Sequence, residues 1–198
     1  IKKEKLPKKF LKQNSNNIEK TLPFILTKSQ QKVLAEINKD LLSKKRMFRI
    51  VQGDVGSGKT IVSFLAISNI IESGYQCALM GPTEILAKQH YELAKEIFKD
   101  VNFKIDFLSG KTEAKNKKEI LKNLESGKTN LLIGTHALFQ KKIYFKKLGL
   151  AIIDEQHKFG VKQRSELAKK GGNNCDVLLM SATPIPRTMM MSLYGDMD

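Results

Sequence analysis

The chain has 198 residues, enough for one domain with a full hydrophobic core, and 41% of them are hydrophobic. Thirty-five Lys and Arg against twenty Asp and Glu give a net charge of +15, a surface that attracts polyanions, of which nucleic acid is the commonest. The apolar runs are strand-sized and too short to span a bilayer, and the lysine-rich start lacks the apolar stretch and cleavage site of a signal peptide. Cys77 and Cys175 lie far apart with no C-x-x-C pattern, and His90, His136 and His157 are scattered. A disulfide scaffold, a zinc site and a metal cluster are therefore not expected, and a reducing, cytoplasmic setting is.

Residues 1–20 are polar and lysine-rich, broken by Asn14-Ser15-Asn16-Asn17, and read as a linker or N-terminal extension, with the folded domain over 21–198. A helix is expected over 29–42, capped by Thr27 or Ser29. A short buried strand over 47–52 leads through a Gly-rich turn into a helix over 60–72. Then come a strand at 75–80, a helix at 84–98, a strand at 103–108, a charged, solvated helix at 111–126 and a strand at 130–133. Strands at 148–153 and 177–180 alternate with helices at 161–170 and 186–193, and Met189-Met190-Met191 reads as core packing. Strands alternating with helices mean βαβ units, so the fold class is α/β, a mainly parallel β-sheet sandwiched by helices. The polar clusters each follow a strand, so they converge on the carboxyl edge of the sheet, where such folds bind ligands.

The turn Gly53-Asp54-Val55-Gly56-Ser57-Gly58-Lys59-Thr60 fits G-x-x-x-x-G-K-[ST], the P-loop, in its required setting between strand and helix. Glycines let the backbone curl so that several N–H groups point at one anion. Lys59 can reach the outer phosphates, the Thr60 hydroxyl can ligate Mg²⁺, and the helix N-terminus faces the phosphates. Asp154-Glu155-Gln156-His157 follows an apolar strand. Two adjacent carboxylates there suit a magnesium nucleotide: Asp154 as metal ligand, Glu155 to orient and polarise the attacking water.

Other clusters admit two readings. The hydroxyls of Ser181-Ala182-Thr183 could bond Asp154, Glu155 or His157, or form a turn before Pro184. The Gln30 amide matches the edge of adenine, yet a Gln at a helix start is often a surface residue. Pro82-Thr83-Glu84 and Gly134-Thr135-His136-Ala137 lead into helices and suit both sequence-blind phosphate contact and N-capping, two compatible roles.

The segments LPFILTKSQ (22–30), IVQGDVGSGKT (50–60), GPTEILAKQH (81–90), IGTHALFQ (133–140), IIDEQHKFGVKQR (152–164), MSATPIPRT (180–188) and SLYGDMD (192–198) together resemble a superfamily 2 helicase motor, specifically its first RecA-like P-loop NTPase domain. The resemblance runs from Leu22 onward and narrows to the RecG family of ATP-dependent branched-DNA helicases. Two related helicase groups, of transcription-coupled repair and replication restart, usually carry Glu where Gln156 stands. Ser181 and Lys158 depart from the Thr and Arg frequent in the RecG family, without touching the chemistry.

The resemblance implies ATP and Mg²⁺ as cofactors and branched DNA as partner in recombination and repair. It implies that Gln30 reads adenine, that Gly58, Lys59 and Thr60 hold phosphate and magnesium, and that Asp154 and Glu155 serve the metal and the water. His157, Ser181 and Thr183 would couple hydrolysis to motion, and Thr83, Thr135 and His136 lie in segments facing the DNA backbone. The family also carries a wedge domain and a second RecA-like domain with an arginine finger, worth roughly 10³–10⁵ in rate in related NTPases. This chain is therefore expected to be a half-motor, weakly active or inactive alone.

Overall fold

The six strands expected from the sequence form one sheet in a computed structural model that describes residues 4–155 and 170–183. The expected helices at 161–170 and 186–193, and with them Gln156, His157, Lys158, Pro184 and the Met189–Met191 run, lie outside the described residues, apart from Lys170. Strands β1 (Phe48–Gln52), β2 (Gln76–Met80), β3 (Ile105–Leu108), β4 (Leu131–Gly134), β5 (Leu148–Ile153) and β6 (Asp176–Ser181) pair in the order β1-β6-β5-β2-β4-β3. Every pairing is parallel.

Strands β2, β4, β5 and β6 are buried at every position because helices cover both faces, whereas the edge strands β1 and β3 are largely half-buried. Alternate residues enter opposite layers. Cys77, Leu79, Leu131, Ile133, Leu150, Ile152, Leu178 and Met180 join one cluster, and Ala78, Met80, Leu132, Ala151, Ile153, Val177 and Leu179 the other. The first layer is closed by α1 (Gln13–Thr21), α2 (Lys28–Leu42), α3 (Lys59–Glu72) and α4 (Glu84–Ile97), and the second by α5 (Ala114–Ser126) and a 3₁₀ turn, His136–Phe139. Helix α3 is buried at every position from Ile61 to Ile71, as an all-round apolar helix must be. Ser63 Oγ donates to Thr60 O, Ser68 Oγ to Leu65 O, and Asn69 Nδ2 to Asn38 Oδ1 of α2, while Asn69 Oδ1 is buried without a partner among the described residues.

The segment that reads as a linker is, from Glu4 on, folded onto the domain. Lys5 N donates to Lys44 O at 2.8 Å and Lys8 N to Leu41 O at 3.1 Å, and α1 follows with Ser15 and Ile18 buried. The Lys5 and Lys8 side chains have no exposed surface, because both ammoniums meet the buried Asp176 carboxylate, at 2.6 and 3.2 Å. Asp176 also accepts from Met47 N at 2.7 Å, which joins the strap to the starts of β1 and β6. Lys5 Nζ donates further to Asp40 O and Leu41 O at the end of α2, where cations favour the helix dipole. Burial pushes the Lys5 ammonium below its usual pKa, against the pull of Asp176. Lysine-rich composition conceals this because the counter-ion that makes burial tolerable, Asp176, is distant in sequence.

Among the described residues, no helix is long and apolar enough to cross a membrane. Cys77 and Cys175 are free and buried, and burial pushes the Cys175 thiol up to about 12.

Candidate active site

All six strands run the same way, so the loops after them share one edge, and backbone hydrogen bonds continue past the strand ends to fix those loops side by side. Gly53 N donates to Ser181 O at 3.2 Å, Asp154 N to Met80 O at 2.9 Å, Gly81 N to Gly134 O at 2.9 Å and Thr135 N to Leu108 O at 3.2 Å. The P-loop, the Asp154-Glu155 pair, the Ser181–Thr183 turn and the segments around Thr83 and Thr135 are thereby set along this edge.

Within the P-loop, Gly56 and Gly58 both have φ of 82°, a left-handed conformation that side chains other than glycine rarely take. Gly58 is the N-cap of α3 and offers no side-chain cap, so the first N–H groups of the helix are left for an anion. Ser57 N closes the turn on Asp54 O at 3.1 Å, while Val55 at the tip is exposed. The Lys59 ammonium lies against the loop itself, donating to Gly53 O at 2.5 Å, to Asp54 O at 2.8 Å and to Ser57 Oγ at 3.5 Å. Thr60 sits in the first turn of α3.

Gln30 joins this loop to α2. Thr27, not Ser29, is the N-cap, in a full capping box: Gln30 N donates to Thr27 Oγ1 at 3.2 Å and Thr27 N to Gln30 Oε1 at 2.8 Å. The other end of the same amide, Nε2, donates to Ser57 O at 2.9 Å. A cleft of about 280 Å³ opens here, with Gln30, Val33, Gln52, Gly53, Ser57 and Lys59 among its walls. The larger cleft, about 590 Å³ beside Leu22–Ile25, carries none of the P-loop residues.

Asp154 and Glu155 leave β5 on a sharp turn in which Glu155 takes φ of 47°, an uncommon conformation for a non-glycine residue. Asp154 Oδ1 accepts from Glu155 N at 2.9 Å, and Asp154 Oδ2 accepts from His90 Nε2 of α4 at 2.7 Å. The hydroxyls at the end of β6 lie in a turn of their own. Ser181 Oγ and Thr183 bond each other, through Thr183 O at 3.2 Å and Thr183 N at 3.3 Å. It is the backbone N–H of Ala182 that reaches Glu155, donating to Oε1 at 3.3 Å. Backbone direction explains the arrangement: the turn after Ser181 closes its hydroxyl onto its own loop and aims the next amide at Glu155. Gln52 Nε2 donates to Thr183 O at 3.1 Å, which links this turn to the P-loop strand.

Of the segments expected to face DNA, Thr83 is exposed and caps α4 by accepting from Leu86 N at 3.3 Å, and His136 is exposed. Thr135 is 4% exposed, and its hydroxyl is buried without a hydrogen-bond partner among the described residues. The bond from Thr135 N to Leu108 O carries the strand pairing one residue past β4, which draws the side chain into the fold. His157 lies outside the described residues. His90 is the residue that sequence reading missed. Its signal was a polar ring in the buried stripe Ala87, His90, Ala94 of α4.

Asp154 and Thr60 are hard oxygen donors, the type that suits Mg²⁺, which keeps several waters and takes only one or two protein ligands. Among the described residues no cluster of three or more His, Cys, Asp or Glu could hold a metal unaided.

The DEAD/DEAH box helicase family profile matches residues 27–192. The ATP-dependent DNA helicase RecG of Aquifex aeolicus is 50% identical over 204 residues, covering 100% of this chain and 25% of that protein. The protein of the same name from Bacillus subtilis is 50% identical over 179 residues, covering 90% of this chain and 26% of that protein. A solved structure of RecG bound to a three-way DNA junction superposes with a TM-score of 0.86 at 45% identity, covering 98% of this chain and 26% of that one. The helicase MrfA, at 19% identity and a TM-score of 0.73, shares the fold. The chain thus spans about a quarter of the length of the curated relatives it matches.

Proposed function

This chain belongs to the DEAD/DEAH box helicase family, and from that premise we propose that it is the ATP-binding motor domain of a RecG-like DNA helicase that couples ATP hydrolysis to the remodelling of branched DNA. The observation that carries the reading is the joining of strand ends, Gly53 to Ser181 and Glu155 to Ala182, which sets phosphate loop, carboxylates and turn in mechanical contact.

In this reading Lys59 leaves its carbonyl partners to offset phosphate charge, and the free amides of α3 receive the phosphate oxygens. Asp154 and the Thr60 hydroxyl would hold Mg²⁺, which supplies charge neutralisation at the phosphates. Glu155 orients the attacking water, and a change in its position is felt directly at Ala182. Gln30, whose amide already contacts the P-loop, reports the adenine to the phosphate end. Thr83 and His136 take DNA phosphates, helped by the +15 charge. Localisation in the cytoplasm fits this role.

The 198 residues alone are proposed to bind Mg·ATP and turn it over slowly. Both arginines among the described residues are engaged elsewhere, Arg46 with Cys175 O and Arg49 with Glu36 and Asp40, and neither lines the nucleotide cleft. A finger arginine from a second lobe would supply the missing rate. The test is nucleotide binding and turnover with and without forked DNA, beside Lys59→Ala. Binding that depends on Lys59, with negligible turnover, is expected. Fast DNA-stimulated turnover by the chain alone would refute the half-motor reading, and binding indifferent to Lys59→Ala would refute the site.

A further inference from the structure

We propose that His90 is a positioning residue: it presets the Asp154 carboxylate for its metal and makes that geometry depend on helix α4. The inference rests on the proposed nucleotide site. Three bonds fix Asp154: its amide to Met80 O at 2.9 Å, its Oδ1 to Glu155 N at 2.9 Å, and its Oδ2 to His90 Nε2 at 2.7 Å. The first holds the backbone to the end of the neighbouring strand β2, and the second comes from the next residue. The third comes from helix α4, 64 residues away in sequence, and among the described residues it is the bond that ties the carboxylate itself to another element. With both oxygens already accepting one bond, the plane of the carboxylate is set, and each oxygen retains a lone pair. Magnesium demands near-ideal octahedral geometry at about 2.0–2.1 Å, so a carboxylate held in one orientation binds it without first losing rotamer freedom.

Helix α4 gives the contact its reach. His90 lies between Ala87 and Ala94 on the buried stripe, where small neighbours let the ring pass toward β5. Thr83, exposed at the N-cap, is seven residues from His90, roughly 10 Å along one rigid helix at 1.5 Å per residue. A ligand that shifts the N-terminal end of α4 shifts His90 with it, and Asp154 follows. A pairing that served only the fold would stabilise the protein and leave its magnesium dependence alone.

The experiment titrates mant-AMPPNP, a non-hydrolysable fluorescent ATP analogue, into wild type, His90→Leu and His90→Gln, in Mg²⁺ and again in EDTA. Outer-shell partners of metal ligands typically contribute about 10–100-fold in metal affinity. His90→Leu is therefore expected to lose about tenfold of the affinity that Mg²⁺ adds, with the EDTA affinity unchanged. His90→Gln, which keeps an N–H donor, is expected to recover most of it. If His90→Leu keeps the Mg²⁺ gain within twofold, or loses affinity equally in EDTA, the positioning role is overturned. A wild type without any Mg²⁺ gain overturns the nucleotide site itself, and this inference with it.

Discussion

Replacing Asp176 by Asn removes one charge from a site with no exposed surface, leaving the Lys5 and Lys8 ammoniums, 2.6 and 3.2 Å away, without their counter-ion. Breaking a buried ion pair by deleting one partner costs about 3–5 kcal/mol, since the remaining charge is stranded in a poorly polarisable interior. For a domain of this size each kcal/mol lowers the midpoint by about 2–4 °C, so Asp176→Asn is expected to melt about 6–20 °C earlier. The amide can still accept from Met47 N, so the backbone contact survives and the loss reports the charges. Urea unfolding followed by far-UV circular dichroism gives the free energy by linear extrapolation, with an unchanged slope showing that the same surface is exposed. A companion variant, Lys5→Met, Lys8→Met, Asp176→Leu, replaces the whole cluster by apolar groups. It should regain part of the loss, short of the capping of α2 by Lys5 and of the bond from Met47 N, which Leu cannot accept. A loss below about 1 kcal/mol in Asp176→Asn would mean that the cluster is solvated like a surface pair, and the reasoning would fail.

Three further outcomes follow from particular contacts. Burial lowers the Lys5 pKa from 10.5, so the unfolded chain binds more protons between the lowered value and 10.5. Stability should rise with pH across that window from this group, and denaturation at stepped pH should give a flatter profile in Lys5→Met. Gly56 and Gly58 share φ of 82°, but a methyl group on Gly58 runs into Gln30 Nε2, whereas one on Gly56 meets nothing within 4 Å. Gly56→Ala should show only the left-handed backbone cost, about 1–2 kcal/mol. Gly58→Ala should exceed it and weaken mant-AMPPNP binding, and equal effects in both assays would count against the Gln30 contact. Thr27→Ala removes the capping box and should destabilise by about 1 kcal/mol in thermal melts, while a neutral result would place the stability of α2 wholly in its packing.

The strands and the P-loop were legible because each imposes a local pattern: an apolar run buried on both faces, and glycines where φ must be positive. The cap of α2, open between Thr27 and Ser29 in the sequence, falls on Thr27, whose capping box uses Gln30 three residues on. What local pattern hides is pairing across long separations. Lys5 and Lys8 look solvated until Asp176 is found beside them. The hydroxyls of Ser181 and Thr183 look like partners for Glu155 until the turn closes them on each other and presents the Ala182 amide instead. Thr135 and His136 look equivalent, yet continued strand pairing buries the first and leaves the second exposed. His90, one polar ring in a helical stripe, has no local signature that separates a satisfied core histidine from a partner of Asp154.

The strand order also dictates a timetable for synthesis. Strand β1 lies at the sheet edge and pairs with β6, so the phosphate loop it launches has no neighbouring strand until residues 176–181 have been made. The anchoring bond from Gly53 to Ser181, and the closure of Lys5 onto Asp176 across 171 residues, wait for the same event. Contacts so distant in sequence form late and slow folding. A nascent chain stalled before β6 would expose the apolar edge of β1 and β5, a surface prone to aggregation. A chain truncated there should not bind nucleotide, however complete its phosphate-loop sequence.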